Sequence, residues 1–299
     1  MAAIAELGYR PNLSARSLRS GRTGEIVLMI PELRNAYFAE LAEDVMLAAS
    51  GHALTTVIEL TGGERERELA ILNSPRLQSA DGALFNVLGL DAREVGQLNI
   101  ATPLVLLGEH VIEGPHDLVT MRNVEAAKAA TKHLIDKGRR RIVALGAAPN
   151  EDMGSSTLRL RGYLAALDEA GVVPDSARVV SASTWDRRGG GSAMQRVIDD
   201  GIEFDAVFAF NDVLGLGAMK TVQDAGLSVS RDVAVIGFDD IDDATWSSPT
   251  MSTIDPGRLQ VAKLAVEVLV ERIADSGNDW SRKELYADFR LIERESTAR

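Results

Sequence analysis

Ile26-Val27-Leu28-Met29-Ile30 is an unbroken apolar run, and the segment after it sets Phe38, Leu41, Ala42 and Val45 on one helical face. A strand buried on both faces and then an amphipathic helix is the repeating unit of a parallel sheet with crossover helices. Working outward, the same alternation recurs with strands expected at Leu54 to Leu60, Gly82 to Val87, Pro103 to Leu107 and Leu118 to Met121. A second series starts after Asn123, read as the N-cap of a helix that turns Val124, Ala127, Thr131, Leu134 and Ile135 inward and ends near Gly138. Strands follow at Arg141 to Leu145, Arg178 to Ser181, Asp205 to Phe210 and Val233 to Phe238. The pattern predicts an α/β chain with two doubly wound parallel-sheet lobes. Gly62-Gly63 and Gly189-Gly190-Gly191 fall between elements and read as turns.

The length fits this reading, since 299 residues is about twice the usual single domain. Apolar residues at 45% and charged residues at 25% supply a core and exclude a disordered chain. There is no cysteine, so disulfides, thiolate metal sites and cysteine nucleophiles are ruled out. No apolar run approaches the roughly 20 residues that span a bilayer, and no basic-apolar-small leader opens the chain. No membrane partner and a cytoplasmic location are expected. The net charge of -12 argues against nucleic-acid binding by the body, but residues 1–22 carry four arginines against Glu6 and are basic. That end is either a polyanion-binding segment or a solvated tail.

Enzyme signatures are missing. Gly215-Leu216-Gly217 lacks the third glycine of a dinucleotide fingerprint and sits inside a helical pattern, which makes it a packing feature. There is no phosphate-cradling glycine-lysine loop, no His-Glu-x-x-His and no Gly-x-Ser-x-Gly, and His52, His110, His116 and His133 lack metal-ligand spacing. No catalytic residue, metal or cofactor is expected.

Leu7-Gly8-Tyr9-Arg10-Pro11-Asn12, followed by Ala15-Arg16-Ser17-Leu18-Arg19-Ser20-Gly21, resembles the end of the DNA-binding domain and the hinge helix of the LacI family of transcription regulators. The resemblance runs on through Asn35-Ala36-Tyr37-Phe38, Arg159-Leu160-Arg161-Gly162-Tyr163, Phe210-Asn211-Asp212, Gly237-Phe238-Asp239-Asp240 and Glu293-Arg294-Glu295-Ser296-Thr297, in family order. It implies lobes of the periplasmic-binding-protein type I architecture, joined by three crossovers. It also implies a helix-turn-helix, most of which would precede Met1.

For the first 22 residues the family implies a hinge helix that orders when two subunits pair on operator DNA. Asn12 after Pro11 suits an N-cap and Gly21 a stop, and a helix of about ten residues cannot persist alone in water. Asn12, Ala15, Arg16, Leu18 and Arg19 are the implied DNA contacts. Leu18 matches the apolar wedge pushed between base steps in the minor groove, or else caps the lobe below it. Arg16 and Arg19 would meet phosphates.

The family also implies a small polar effector, a carbohydrate by chemistry, held between the lobes by Asn35, Tyr37, Phe38, Arg159, Trp185, Asn211 and Asp239. An arginine fork holds paired hydroxyls or a carboxylate, Asn211 and Asp239 add hydrogen-bonding groups at strand ends, and an indole face suits a sugar ring. For Tyr37, Phe38 and Trp185 core packing is the alternative. Arg122, where many relatives carry an acid, either attracts an anionic ligand or pairs with a nearby carboxylate. Asp212 reads as an N-cap. The expected division is residues 1–22 as the DNA-binding remnant and hinge, 23–122 with 255–282 as one lobe, and 123–254 with 283–299 as the other. Crossings are expected near Asn123, near Thr253 to Asp255 and before Glu284. A homodimer is implied, and a solute-binding protein of a sugar transport system is the alternative function.

Overall fold

The computed structural model of the chain describes residues 22–91, 94, 100–109, 114–148, 154–275 and 281–298. Asn12, Ala15, Arg16, Leu18 and Arg19 lie outside the described residues. In chain order the elements are β1 (Glu25–Ile30), α1 (Ala36–Ser50), β2 (Thr55–Leu60), α2 (Arg65–Leu72), α3 (Pro75–Ser79), β3 (Gly82–Asn86), β4 (Leu104–Leu107), β5 (Asp117–Met121) and α4 (Asn123–Asp136). They continue as β6 (Ile142–Leu145), α5 (Ser155–Glu169), β7 (Val179–Val180), α6 (Arg187–Asp199), β8 (Ala206–Ala209), α7 (Asp212–Asp224), β9 (Ala234–Ile236), α8 (Asp243–Trp246), β10 (Thr253–Asp255), α9 (Arg258–Ala274), β11 (Glu284–Ala287) and β12 (Arg290–Ile292).

Two parallel sheets result, one ordered β11-β5-β4-β3-β1-β2 and the other β7-β6-β8-β9. Each is packed on both faces, which is why its strands read as solid apolar runs. Ile26, Leu28 and Ile30 of β1 join a cluster with Leu41 and Val45 of α1 and Val261 and Leu269 of α9. Val27 and Met29 turn the other way, to Leu72 and Leu77 of α2 and α3. In the second lobe Ile142 and Phe208 pack with α4 and α5, whereas Val143, Leu145 and Val207 pack with Met194 and Val197 of α6 and Ala218 and Val222 of α7. Strand order reverses between β1 and β3 and again between β6 and β8, opening a crevice at the carboxyl ends of each sheet.

The lobes are joined at Arg122 and by the antiparallel ribbon β10–β12, in which Thr253 faces Ile292 and Asp255 faces Arg290. The third crossing departs from expectation. β11 pairs parallel with β5 from Glu284–Leu118 to Ala287–Met121, so residues 284–287 complete the first sheet and the chain crosses after Ala287. A four-residue edge strand has too little periodicity to reveal its sheet, and only the pairing decides it.

Three local expectations are also corrected. The Gly189-Gly190-Gly191 run is helical, in the first turns of α6, capped by Asp186 Oδ1 accepting from Gly189 N at 2.6 Å. Gly190 and Gly191 are there for contact with α7, since a Cβ on Gly190 would fall 2.3 Å from Leu214 O and one on Gly217 2.0 Å from Arg187 O, whereas a Cβ on Gly189 would fall 1.9 Å from Thr184 O. Asn123 is the first residue of α4, with Arg122 in the cap position. Asp212 likewise opens α7, which Asn211 caps by accepting from Leu214 N at 2.9 Å.

The glycine seam makes a direct prediction. Gly217→Ala forces α6 and α7 apart and should cost about 1–3 kcal/mol by overpacking, outweighing the ~1 kcal/mol gain in helix propensity. Urea denaturation checks it, and a variant as stable as the parent would refute the close approach.

Candidate functional site

The crevices of the two sheets face each other across a cavity of about 480 Å³. From the first lobe the loops after β1 and β4 bring Asn35 and Glu109 to its wall, and the last residues of β3 and β5 bring Asn86 and Met121. From the second come Ser155 and Arg159 on α5, Trp185 after β7, Asn211 after β8 and Asp239 after β9. Asn35 caps α1 by accepting from Tyr37 N at 3.2 Å, which holds Tyr37 inward, edge-on to Phe38 with ring centroids 5.3 Å apart. Burial drives the Tyr37 hydroxyl far above its ordinary pKa, and the nearby Asp239 and Glu109 push the same way, so it is a neutral hydrogen-bonding phenol.

Arg159 organises the second-lobe wall and is only 4% exposed. Its Nε donates to Asn123 Oδ1 at 2.8 Å, Nη1 donates to Phe210 O, and its Cζ stands 3.6 Å from the Phe238 ring centroid and 5.9 Å from that of Trp185. Nη2 is held loosely, 3.9 Å from Asp239 Oδ1 and 3.7 Å from Met121 Sδ, which leaves its hydrogens to a guest. At that distance Arg159 does not offset burial, and the Asp239 carboxyl is raised well above its usual range. Asp239 and Asp240 take left-handed backbone at φ 125° and 52°, a strain that re-aims Asp239 off the strand end. Arg294 holds Asp240 at 2.6 Å.

All seven residues that the sequence assigned to the site, Asn35, Tyr37, Phe38, Arg159, Trp185, Asn211 and Asp239, line this one cavity. Asn211 spends its side-chain oxygen on its own helix, and Tyr37 is largely core. Arg122 lies outside the lining, over the Tyr286 ring at 5.4 Å and 3.7 Å from Asp288 Oδ1, so of its two expected roles it takes the pairing with a carboxylate. Asp212 is neither guest contact nor cap. Its buried carboxyl accepts from Thr253 Oγ1 at 2.6 Å and Ile241 N at 3.0 Å, pinning the Asp239 loop and the hinge ribbon to α7.

Sequence reasoning missed Asn86, Glu109, Thr120, Asn123 and Ser155. Asn86 Oδ1 and Thr120 Oγ1 are buried at the cavity wall without a hydrogen-bond partner among the described residues, an expense that a polar guest would relieve. Gly108 makes room for the amide, because at φ 90° a Cβ there would come within 3.0 Å of Asn86 Nδ2. The signal for Asn86 and Glu109 was position alone, at the carboxyl ends of expected strands. Among the described residues no group of three or more His, Asp or Glu side chains is placed to hold a metal. No described helix is long and apolar enough to cross a membrane.

Two facing α/β lobes, a three-segment hinge and a cavity that combines hydrogen-bonding groups with aromatic faces define a hinged ligand-binding protein. A model of the periplasmic binding protein-like domain matches residues 131–297. The ribose operon repressor of Escherichia coli K12 is 32% identical over 275 residues, covering 91% of this chain and 82% of the repressor. A structure from Sanguibacter keddieii assigned to the LacI family is 46% identical with a TM-score of 0.86, over 92% of this chain and 99% of that one. The transcriptional regulator CelR in complex with cellobiose is 28% identical with a TM-score of 0.81, over 99% of this chain and 88% of that one. The chain belongs to the LacI family of transcription regulators. With repressors as its relatives it is a regulator and not an enzyme.

Proposed function

We propose that the cavity holds a small neutral polyhydroxylated effector, a sugar or close derivative, and that closure of the lobes on it sets the grip of a paired protein on operator DNA in the cytoplasm. The observation that carries the reading is the pair of unpartnered polar atoms, Asn86 Oδ1 and Thr120 Oγ1, in the same cavity as the loosely held Arg159 Nη2. Hydroxyl groups both donate and accept and can satisfy all three, and Trp185 and Phe38 offer flat apolar surface to a ring. The acids of the lining are Glu32, Glu109 and Asp239 against Arg159, and even with Asp239 protonated two carboxylates face one guanidinium, a balance that does not favour an anion. The names of a ribose operon repressor and of a cellobiose complex among the relatives point the same way.

A guest bridging the lobes stabilises the closed arrangement by its differential affinity for it. The hinge ribbon and the residues from Arg22 onward carry that change toward the N-terminal segment, where Arg16, Leu18 and Arg19 are the proposed DNA contacts. Thr23 and Gly24 are already fixed to the lobe, because Asp81 accepts from both backbone N–H groups at 2.7 and 2.8 Å. The test is a melting-temperature screen with pentoses, hexoses and disaccharides. A sugar present at about 100 times its dissociation constant adds ~2.7 kcal/mol, a rise of several degrees. If no neutral sugar raises the midpoint and an apolar or nucleobase compound does, the proposal fails.

A further inference from the structure

Glu109 is 6% exposed, lies just beyond β4, and reaches from the first lobe to the starts of two helices of the second. Asn123 Nδ2, on the first residue of α4, donates to its Oε1 at 2.7 Å, and Ser155 Oγ, on the first residue of α5, donates to its Oε2 at 2.8 Å. Neither helix has a side-chain cap from its own cap residue, Arg122 or Gly154. Both oxygens act as acceptors, the pattern of an ionised carboxylate, and each helix start presents the positive end of its dipole. The Asn123 amide passes the charge on, since its Oδ1 accepts from Arg159 Nε at 2.8 Å.

Two helix starts, two donor side chains and a guanidinium one residue further back make a corner suited to an anion, and the protein has filled that corner with a side chain of its own. We infer that Glu109 sets the charge of the effector. Its carboxylate occupies the place where a ligand carboxylate or phosphate would be held, and repels a second anion brought into the same cavity. This rests on the cavity being the effector site. It deepens that reading by naming a specificity-determining residue, which admits neutral hydroxylated molecules and rejects sugar acids and sugar phosphates. The same two bonds tie the lobes together, so a guest that competes for Asn123 or Ser155 also alters closure.

The experiment compares the full chain with Glu109→Gln, which keeps the size and loses the charge, and Glu109→Ala, which empties the corner. Melting temperature and calorimetric affinity are measured at matched ionic strength with inorganic phosphate, D-gluconate and D-glucose 6-phosphate, alongside D-ribose, D-glucose and cellobiose. The parent should show no specific binding of the anions. At least one variant should gain phosphate or gluconate affinity by about tenfold or more as the like-charge repulsion is removed. If Glu109→Ala does not fold, the near-isosteric Glu109→Gln decides.

Anion binding by the parent as tight as by the variants overturns the inference, and so does a folded pair of variants that gains no anion affinity. The two readings fail separately. If sugars stabilise the parent but the variants gain no anion affinity, Glu109 loses its role and the sugar reading stands. If no sugar stabilises the parent but the variants acquire phosphate binding, Glu109 keeps its role and the sugar reading falls.

Discussion

Arg159→Lys lowers the affinity of the cavity for its effector by about 30-fold or more. Leaving a buried hydrogen-bonding group of the wall unpaired costs about 1–3 kcal/mol, and 2 kcal/mol is already a factor of about 30. Lysine keeps the positive charge beside Asp239 but cannot reproduce the planar fork, which serves Asn123, Phe210 and the Asp239 side in three directions at once. Its flexible stem also gives up the flat contact of the guanidinium with Phe238, 3.6 Å from the ring centroid. Arg159→Ala goes further, since it strands Asn123 Oδ1 and Phe210 O in a buried wall and should destabilise the fold itself by about 2–6 kcal/mol, at about 1–3 kcal/mol for each unpaired group. Titration calorimetry of Arg159→Lys with whichever sugar stabilises the parent gives the number, after denaturation has shown the variant to be folded. Binding within threefold of the parent would mean that the arginine is a structural member of the wall and not a reader of the guest.

How much of this could be read in advance follows from what each feature depends on. Strands β1, β3, β4, β6, β8 and β9 were legible because a strand covered on both faces must be apolar at every position, and Leu104 to Leu107 or Ala206 to Ala209 have no other use for such a run. Asn35, Asn211 and Asp239 were legible because they follow β1, β8 and β9 at their carboxyl ends, as Trp185 follows β7, and the fold turns those ends toward one cavity. Glu109 follows β4 in the same way. It went unread because a lone glutamate in a loop is usually solvated, and only the approach of Asn123 and Ser155 from the other lobe makes it special. The glycines at 189 to 191 misled for a related reason. Their composition suggests a turn, whereas the demand for small residues at 190 and 191 comes from α7, more than 20 residues away along the chain, and at 189 from the Thr184 carbonyl ahead of the helix. The partner of β11 was equally invisible, because Glu284 to Ala287 looks the same whichever sheet it joins.

Asp212→Asn should flatten part of the pH dependence of stability between about pH 4 and pH 7. Asp212 is fully buried, and burial is the largest cause of a pKa pushed up to about 7; the bonds from Thr253 and Ile241 and the charge of Arg294 oppose the rise, while Asp240 adds to it. An aspartate in the unfolded chain titrates near 3.9. Between those values the folded protein keeps a proton that the unfolded chain has released, so stability must fall as pH rises. This group's contribution is complete below about pH 4, declines by about 1.4 kcal/mol per pH unit, and is gone above about pH 7. Asparagine imitates the protonated acid: its oxygen can accept from Ile241 N and its amide can donate to Thr253 Oγ1, and it has no proton to lose. The stability of Asp212→Asn relative to the parent should therefore climb across the window and level off beyond it. Asp239, also raised by burial, is pushed up in part by the Asp212 charge, so the variant eases the Asp239 tilt as well and the difference between the curves carries that coupling in the same direction. Two parallel curves from urea melts at successive pH values would show that Asp212 titrates at its ordinary pKa. In that event Thr253 and Ile241 would hold the hinge ribbon and the Asp239 loop to a permanent carboxylate, and pH would have no purchase on the joint between the lobes.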